Sequence, residues 1–308
     1  MEFNQHITVL LNETIELLNI KPDGIYVDCT FGRGGHSQLI LKKLSKKGKL
    51  ICLDQDQEAI NFANNLFKNN TNVIVIKTNF KNLKSALGAH KIFYVDGFIF
   101  DLGLSSPQLD DPKRGFSYHK NAWLDMRMDQ SQNLNAHYIV NNYSFAKLVS
   151  IFKRYGEIKY PKIIADAIVK ERSIKKINTT LELVEIIKKY SPKKKLFEKK
   201  HPARLFFQAI RIEVNDELNI LEKAFNDAIS MLNPLGVVAI ISFHSLEDKI
   251  VKKVFNNYAK IKLPKEVPIN NYVNKYSLLN QKIMPSTQEL NDNNRSRSSI
   301  LRGLIRNY

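Results

Sequence analysis

The sequence has few of the residues that stabilise small secreted proteins or span a membrane. Its 308 residues include two cysteines, Cys29 and Cys52, and each falls inside a predicted strand. That number excludes a disulfide scaffold and argues against a zinc site, so we expect two buried small side chains and no bound metal. No apolar run approaches the roughly 18 residues that cross a bilayer. Residues 1–6 lack the features of a secretory leader, so we expect a cytoplasmic protein without a membrane partner.

Acidic residues are also scarce relative to basic ones. The chain has 47 Lys and Arg against 30 Asp and Glu, which gives a net charge of +17. Residues 151–211 alone contain 17 basic and 6 acidic side chains. Clustered positive charge attracts a polyanion, and nucleic acid is the default partner. The general richness of the chain in Lys, Asn and Ile is the alternative explanation.

Strand-like and helix-like segments alternate over the first hundred residues, and a strand pattern returns near the end. The predicted strands are residues 25–29, 49–54, 73–76, a run ending at Asp101, 237–241 and 299–305. The predicted helices are residues 6–19, 37–44, 57–67, one near Leu83, 160–171, 180–190, capped within residues 178–180, and 205–232. This alternation is typical of a doubly wound, mostly parallel α/β sheet, and we expect the last strand to lie at its edge.

Residues 111–206 contain no convincing buried strand and carry most of the positive charge. We therefore predict an α/β domain made of residues 1–108 and 207–308. An inserted, basic, all-helical domain at residues 109–206 interrupts it and is the candidate for nucleic-acid recognition.

A glycine-rich turn, Gly32-Arg33-Gly34-Gly35-His36, follows the first predicted strand. Glycines let the backbone approach a ligand closely, and the helix that begins next offers free amide groups. Asp54 ends the second strand about twenty residues later, where a carboxylate can accept both hydroxyls of a ribose. Together with Asp28, these residues indicate a cofactor that contains adenosine.

The glycine spacing separates two common adenosine cofactors. A dinucleotide fingerprint requires a third glycine three positions after the second. Counted from Gly32 and Gly34, that position is Ser37. The adjacent Gly34 and Gly35 instead leave room for the methionine part of S-adenosylmethionine. Phe80, after the third strand, either packs on the adenine or belongs to the core.

Two histidines lie near predicted helix starts. His36 either donates a hydrogen bond to the cofactor carboxylate or simply begins its helix. His244 either faces a substrate or belongs to a helix start, because Ser245 and Asp248 have the spacing of a capping box.

Residues 101–111 break a buried strand with an acid, a glycine, two hydroxyls and a proline, at the sheet edge where α/β proteins bind ligands. Ser105-Ser106-Pro107-Gln108 is a variant of the proline-containing segment with which amino-methyltransferases hold a base. There, rigid acceptors grip the exocyclic amine and aim its lone pair at the methyl group. A capped strand-to-helix turn explains the same residues.

Six motifs carry a family resemblance: residues 27–37, 101–111, 114–117, 124–129, 207–215 and 241–248. Together they closely resemble the bacterial ribosomal RNA small subunit methyltransferase H family, and the likeness extends from His6 to Arg302. The resemblance implies a class I S-adenosylmethionine-dependent methyltransferase fold with an inserted helical domain. It also implies N4-methylation of cytosine 1402 of 16S ribosomal RNA, in the decoding centre of the small subunit.

The resemblance also implies roles for residues of this chain. By position, the cofactor contacts fall on Gly34, Gly35, His36, Asp54, Phe80, Asp101 and Gln108. The residues expected to orient the cytosine amine, which must leave its stack, are Ser105, Ser106 and Pro107, with Asp101 assisting. The expected RNA contacts are Phe116, His244, Arg295 and Arg297, together with the basic insertion.

The chain departs from the family pattern at two places. Trp123 stands where the family has proline, so this only tryptophan is a poor candidate for a required stacking platform, and Phe116 is favoured instead. Asn294 replaces the proline that precedes Arg295. The alternatives to an RNA methyltransferase are a DNA amino-methyltransferase, a nicotinamide-dependent oxidoreductase and a non-catalytic RNA-binding protein.

Overall fold

The computed structural model describes residues 7–260 and 274–308. The chain forms two compact units. The sheet unit consists of Met1–Gly103 and Leu218–Tyr308, and the helical unit consists of Leu104–Glu217. The described strands, all in the sheet unit, are β1 (Ile25–Asp28), β2 (Lys49–Asp54), β3 (Val73–Lys77), β4 (Val95–Asp101), β5 (Leu232–Ser242), β6 (Tyr276–Ile283) and β7 (Ile300–Arg306). Its described helices are α1 (Leu11–Leu18), α2 (Gly35–Lys43), α3 (Gln57–Leu66), α4 (Leu83–Ala89), α12 (Leu221–Ser230), α13 (Ser245–Ala259) and α14 (Thr287–Asp292).

The strands form one sheet in the order β3-β2-β1-β4-β5-β7-β6. β1 to β5 are parallel, and β7 pairs antiparallel with both β5 and β6. The predicted doubly wound, mostly parallel sheet is confirmed. The chain runs outward from β1 through β2 to β3 on one side of the sheet, and from β4 to β5 on the other. The carboxyl ends of the adjacent strands β1 and β4 therefore mark the topological switch point, where α/β sheets bind ligands.

Strand residues alternate between two cores, one on each face of the sheet. Val27, Ile51 and Phe98 belong to the core that α4, α12 and α13 cover. Their neighbours Tyr26 and Cys52 belong to the core that α1, α2 and α3 cover. Side chains of a strand point alternately to opposite faces, so apolar residues at successive positions build both cores at once. Cys29 and Cys52 are buried and unpaired, as predicted.

The helical unit consists of helices joined by loops in the residues described. Its helices are α5 (Ser106–Asp110), α6 (Ala136–Asn142), α7 (Phe145–Arg154), α8 (Pro161–Ile174), α9 (Thr180–Tyr190), α10 (Lys193–Leu196) and α11 (Arg204–Asn215). Thr179 caps α9 by accepting a hydrogen bond from the Glu182 amide, so the predicted N-cap is confirmed. The unit contains α5 and α11, whereas the predicted insertion, residues 109–206, excludes most of both. α11 groups with this unit because it packs on α6 and α7.

Two secondary-structure predictions are wrong. The helix predicted at residues 205–232 is two helices, because Asp216 adopts a left-handed conformation (φ 51°) that an α-helix cannot continue. The apolar periodicity runs through this break, since Leu218 and Ile220 also pack inward. The last strand is not at the edge: β7 lies between β5 and the unpredicted β6.

The ends of other elements differ from expectation by a few residues. The helix predicted at residues 6–19 is observed from Leu11 to Leu18, and His6 lies outside the described residues. No helix in the described part of the chain is long and apolar enough to cross a membrane.

Candidate functional site

The glycine turn after β1 leads directly into the N-terminus of α2. Gly34 is the N-cap residue and has φ 71°, in the region that favours glycine. The first hydrogen bond within the helix runs from the Gln38 amide to the Gly34 carbonyl, over 2.8 Å. The amides of Gly35, His36 and Ser37 therefore precede the first helical bond and point out of the helix end. Gly34 makes no side-chain capping hydrogen bond, and the first turn of α2 contains no acidic residue.

Asp28, at the end of β1, holds this turn in place. Its Oδ1 accepts a hydrogen bond from the Thr30 amide at 3.1 Å, and its Oδ2 accepts one from Ser37 Oγ at 2.7 Å. Burial raises the pKa of Asp28 to about 6, and the two hydrogen bonds oppose that rise. Asp28 therefore fixes the loop through hydrogen bonds to both of its carboxylate oxygens.

Asp54, at the end of β2, supports the same turn from the neighbouring strand. Its Oδ2 accepts from the Gly32 amide and its Oδ1 from the Asp56 amide, each at 2.9 Å. Each carboxylate oxygen can accept a second hydrogen bond, which leaves capacity for the two hydroxyls of a ribose. Burial raises the pKa of Asp54 to about 6, partly opposed by these amides.

Asp101 ends β4, and Thr30 fixes it to the glycine turn. Thr30 Oγ1 accepts a hydrogen bond of 2.6 Å from the Asp101 amide. His36 Nδ1 lies 3.9 Å from Asp101 Oδ2. Within the described residues, the buried Asp101 Oδ1 has no hydrogen-bond partner. Burial, followed by the negative charges of Asp28 and Glu247, raises the pKa of Asp101 well above its ordinary value.

Phe80 lies in a single 3-10 turn after β3 and is only partly buried. Its ring meets the core residue Phe100 edge to face, with 5.7 Å between centroids. Asn79, beside it, accepts from the Lys81 amide and donates to Gln55 Oε1. Phe80 thus has one edge in the core, and its packing on adenine stays a prediction.

The residues predicted to hold the acceptor begin the helical unit. Ser105 is the N-cap of α5, and its amide donates to Gln108 Oε1 at 3.1 Å, in a capping-box arrangement. Pro107 lies in the first turn, where a missing amide hydrogen is tolerated. Ser106 and Gln108 are both buried. These residues thus form a capped turn, and their predicted contacts with substrate and cofactor remain predictions.

His244 is itself the N-cap of α13, so the capping box predicted for Ser245 and Asp248 is wrong by one position. The Glu247 side chain accepts from the amides of Phe243 and His244, at 2.7 and 3.2 Å. His244 Nε2 lies 3.1 Å from Glu247 Oε1. Asp248 instead forms an ion pair with Arg302, which draws its pKa below the ordinary value.

The other predicted RNA contacts differ in exposure. Arg295 and Arg297 lie on an exposed 3-10 turn of the sheet unit, between α14 and β7. Phe116, in the helical unit, is only 5% exposed, whereas Trp123 is 50% exposed. The sequence favoured Phe116 over Trp123 as a stacking platform, but Trp123 is the exposed ring and Phe116 the buried one.

The structure brings six predicted residues to the strand ends of the sheet unit: Gly34, Gly35, His36, Asp54, Phe80 and Asp101. It adds Thr30, and it gives a structural role to Ser37, which the sequence marked only as the position of the missing third glycine. In the sequence both are hydroxyl residues, two and nine positions after Asp28. The hydrogen-bond partner of each depends on how the loop folds back on the strands. In the described residues no cluster of three or more His, Cys, Asp and Glu could hold a metal.

The donor set fits the amino-acid end of S-adenosylmethionine. A carboxylate suits the N-terminus of α2, where the helix dipole favours negative charge and the first turn has no acidic side chain. An ammonium group suits Asp101 Oδ1, which has no hydrogen-bond partner in the described residues. His36, in the first turn of α2, has its Nδ1 3.9 Å from the other carboxylate oxygen of Asp101. The parallel sheet, with a single glycine turn and with acids ending β1, β2 and β4, has the architecture expected of a class I methyltransferase.

The chain belongs to the MraW methylase family, whose model matches residues 3–307. It is 99% identical, over the whole of both chains, to a Ureaplasma parvum serovar 3 protein named Ribosomal RNA small subunit methyltransferase H. A Malacoplasma penetrans protein of the same name is 53% identical, over 98% of this chain and 97% of its own. A solved rRNA methylase from Streptococcus thermophilus is similar with a TM-score of 0.43 and 13% identity, over 98% of both chains.

Family membership confirms the predicted fold class, the methyltransferase class and the S-adenosylmethionine cofactor. The nicotinamide-dependent oxidoreductase and the non-catalytic protein are accordingly excluded. Ser37, at the position of the missing third glycine, uses its hydroxyl to hold Asp28.

Proposed function

We propose that this protein methylates the exocyclic N4 amine of cytosine 1402 in the 16S ribosomal RNA of the small subunit. The observation that carries this proposal is the near-identity over the full chain to proteins named Ribosomal RNA small subunit methyltransferase H. A ribosomal substrate also means that the enzyme works in the cytoplasm.

S-adenosylmethionine supplies an electrophilic methyl group on its sulfonium sulfur. In this proposal Asp54 accepts the ribose hydroxyls, and Phe80 packs on the adenine. The α2 amides with His36 bind the methionine carboxylate, and Asp101 accepts a hydrogen bond from its ammonium group. Thr30 and Asp28 keep these groups in place, so that binding requires little rearrangement.

The cytosine amine is a poor nucleophile, since its lone pair is delocalised into the ring. Ser105 and Ser106, on the turn made rigid by Pro107, accept hydrogen bonds from its two protons and favour the pyramidal form. Correct orientation supplies much of the rate enhancement, because the reacting atoms then need no further ordering. The methylated amine is acidic and releases its proton easily, and in this proposal Asp101 assists by accepting it.

The helical unit is proposed to hold the RNA. Residues 151–211 carry 17 basic and 6 acidic side chains, and an excess of this kind binds phosphates without regard to sequence. Arg295 and Arg297 add exposed positive charge from the sheet unit.

The test offers labelled S-adenosylmethionine together with small ribosomal subunits, naked 16S RNA, or DNA. We expect label in the subunits and, after digestion to nucleosides, N4-methylcytidine from position 1402. Label in DNA alone would support the DNA amino-methyltransferase and overturn the proposal. Asp54→Ala is the matched variant: we expect its affinity for S-adenosylmethionine to fall about tenfold or more, because two ribose hydrogen bonds are lost.

A further inference from the structure

The helical unit presents its tryptophan on a rigid piece of backbone. Trp123 forms a β-bridge with Thr179. On either side of it, the Leu124 amide donates to the Asn178 carbonyl at 3.0 Å, and the Thr180 amide donates to the Ala122 carbonyl at 2.8 Å. A backbone held in this way fixes the side of the segment from which the indole projects.

The indole ring itself is also fixed. It stacks on the imidazole of His137, with 4.4 Å between ring centroids and 21° between the planes. His137 lies on α6, and its Nε2 is 3.1 Å from Asn178 Oδ1, so the supporting ring is fixed as well. His137 covers one face of the indole, and the side chain is still 50% exposed.

Single exposed apolar side chains are common on protein surfaces and by themselves indicate no function. Trp123 combines a large flat surface with a fixed orientation, in the unit that contains most of the excess positive charge. Lys176, two residues before Asn178, is exposed. Proteins that bind single-stranded nucleic acid join such aromatic platforms to basic surfaces, because every base offers a face to stack on.

We propose that the open face of Trp123 is a stacking platform for an unpaired base of single-stranded RNA. This inference rests on the proposed function and adds a contact point for the RNA that flanks the target cytosine. Phe116 does not serve in this way, because it is buried. The platform belongs to this chain and not to the general family pattern, which has proline at this position.

The test uses the 308-residue chain, in which Trp123 is the single tryptophan. Titration with a single-stranded RNA oligonucleotide that carries the sequence around position 1402 is expected to quench the tryptophan emission in a saturable manner. A duplex of the same sequence offers phosphates but no free base face, and we expect it to bind without quenching. Unchanged emission at saturating single strand would overturn the proposal.

Variants separate stacking from folding. Trp123→Ala is expected to weaken binding of the oligonucleotide about tenfold at both low and high salt, because stacking is not ionic. Trp123→Phe keeps a flat ring and should bind within about threefold of the wild type. Phe93→Ala removes another aromatic, which is 63% exposed and lies two residues before β4, and should have no effect. Equal affinity of Trp123→Ala and the wild type would refute the platform.

Methyl transfer to small subunits distinguishes this proposal from the one on which it rests. Transfer by the wild type without quenching by the oligonucleotide overturns the platform alone. Quenching without transfer to any ribosomal substrate overturns the proposed function, and the stacking surface stands.

Discussion

Ser37 donates a hydrogen bond of 2.7 Å to Asp28 and so ties the first turn of α2 to the end of β1. The same hydroxyl lies 3.4 Å from Cys52 Sγ, on the neighbouring strand. A short side chain at the helix start thus fixes the glycine turn to two strands at once. The arrangement requires an acid that is almost fully buried, and that burial makes the stability of the sheet unit depend on pH.

We expect Asp28→Asn to stabilise the protein increasingly as the pH rises. The pKa of Asp28 is about 6 in the folded protein against an ordinary 3.8, so the folded state keeps a proton that the unfolded chain has released. This stabilisation is complete below pH 3.8 and is lost as the pH rises through 6. Asparagine cannot ionise, so its advantage over aspartate should grow by up to about 3 kcal/mol between pH 4 and 7.

Urea unfolding of both proteins across that pH range measures the difference. Ser37→Ala is the informative companion, because it removes a hydrogen bond that lowers the pKa of Asp28. In that variant we expect the loss of stability to begin at the same pH but to continue to higher pH, because only the folded-state pKa rises. A difference between Asp28→Asn and wild type that does not change with pH would contradict the account.

Gly35→Ala is expected to disturb the cofactor turn through Thr8. A Cβ on Gly35 would lie 1.8 Å from Thr8 Oγ1. Thr8 cannot move away freely, since Ile7 accepts from Asn293 and the Leu10 amide donates to Glu289, each at 2.9 Å. Overpacking of this kind destabilises by about 1–3 kcal/mol and should also weaken S-adenosylmethionine binding.

The double variant Gly35→Ala with Thr8→Gly should recover much of both losses, because the obstructing side chain is gone. Gly88→Ala in α4 is the control: a Cβ there meets nothing within 4 Å. We expect it to be neutral or to stabilise by up to about 1 kcal/mol, through higher helix propensity. Thermal unfolding and calorimetric titration with S-adenosylmethionine give both quantities, and no recovery in the double variant would show that Thr8 is not the cause.

The sequence predicts the parallel half of the fold well because each element there carries its own periodic signal. β2, for example, is predicted and found at Lys49–Asp54, since its apolar run ends sharply at an acid. β6 escaped prediction because Tyr276–Ile283 mixes polar and apolar residues without clear alternation. Its place is set by pairing with β7, a relation between segments that no local pattern contains.

The same limit applies to the site. Asp54 and the glycines could be predicted, because a strand end and a helix start fix where they lie. The hydrogen bond from the Asp101 amide to Thr30 Oγ1 joins residues that are 71 positions apart, and it follows only from the order of the strands in the sheet. The reversal in exposure of Phe116 and Trp123 likewise depends on how the helical unit packs around them.

Asn215→Ala is expected to destabilise the helical unit by about 2–6 kcal/mol. Asn215 Oδ1 accepts from the Met128 amide, and its Nδ2 donates to the Met126 carbonyl, both at 2.8 Å and buried. Truncation leaves both backbone groups without these partners in a buried place, which costs roughly 1–3 kcal/mol for each. Arg114 donates to the Arg127 and Met128 carbonyls and so supports the same loop.

Asn215→Asp separates the hydrogen bonds from the volume. It has the same shape but sets a carboxylate oxygen against the Met126 carbonyl, so we expect a loss at least as large as with alanine near neutral pH. Asn133→Ala, at an exposed position of the same unit, should change the free energy of unfolding by less than about 0.5 kcal/mol. A loss for alanine alone would mean that packing, and not hydrogen bonding, holds the loop.

Substitutions at Gln108 and Ser106 test whether neighbouring residues of one turn serve different partners. If Gln108 contacts the cofactor, Gln108→Ala should weaken S-adenosylmethionine binding, and Gln108→Glu, which can still accept from the Ser105 amide, separates that effect from loss of the turn. If Ser106 orients the amine, Ser106→Ala should leave donor affinity unchanged and lower the rate of methyl transfer about 10–100-fold at saturating donor. Donor titrations and single-turnover rates on small subunits measure the two effects separately. Equal losses of affinity and rate in both variants would mean that the turn acts only as a structural support.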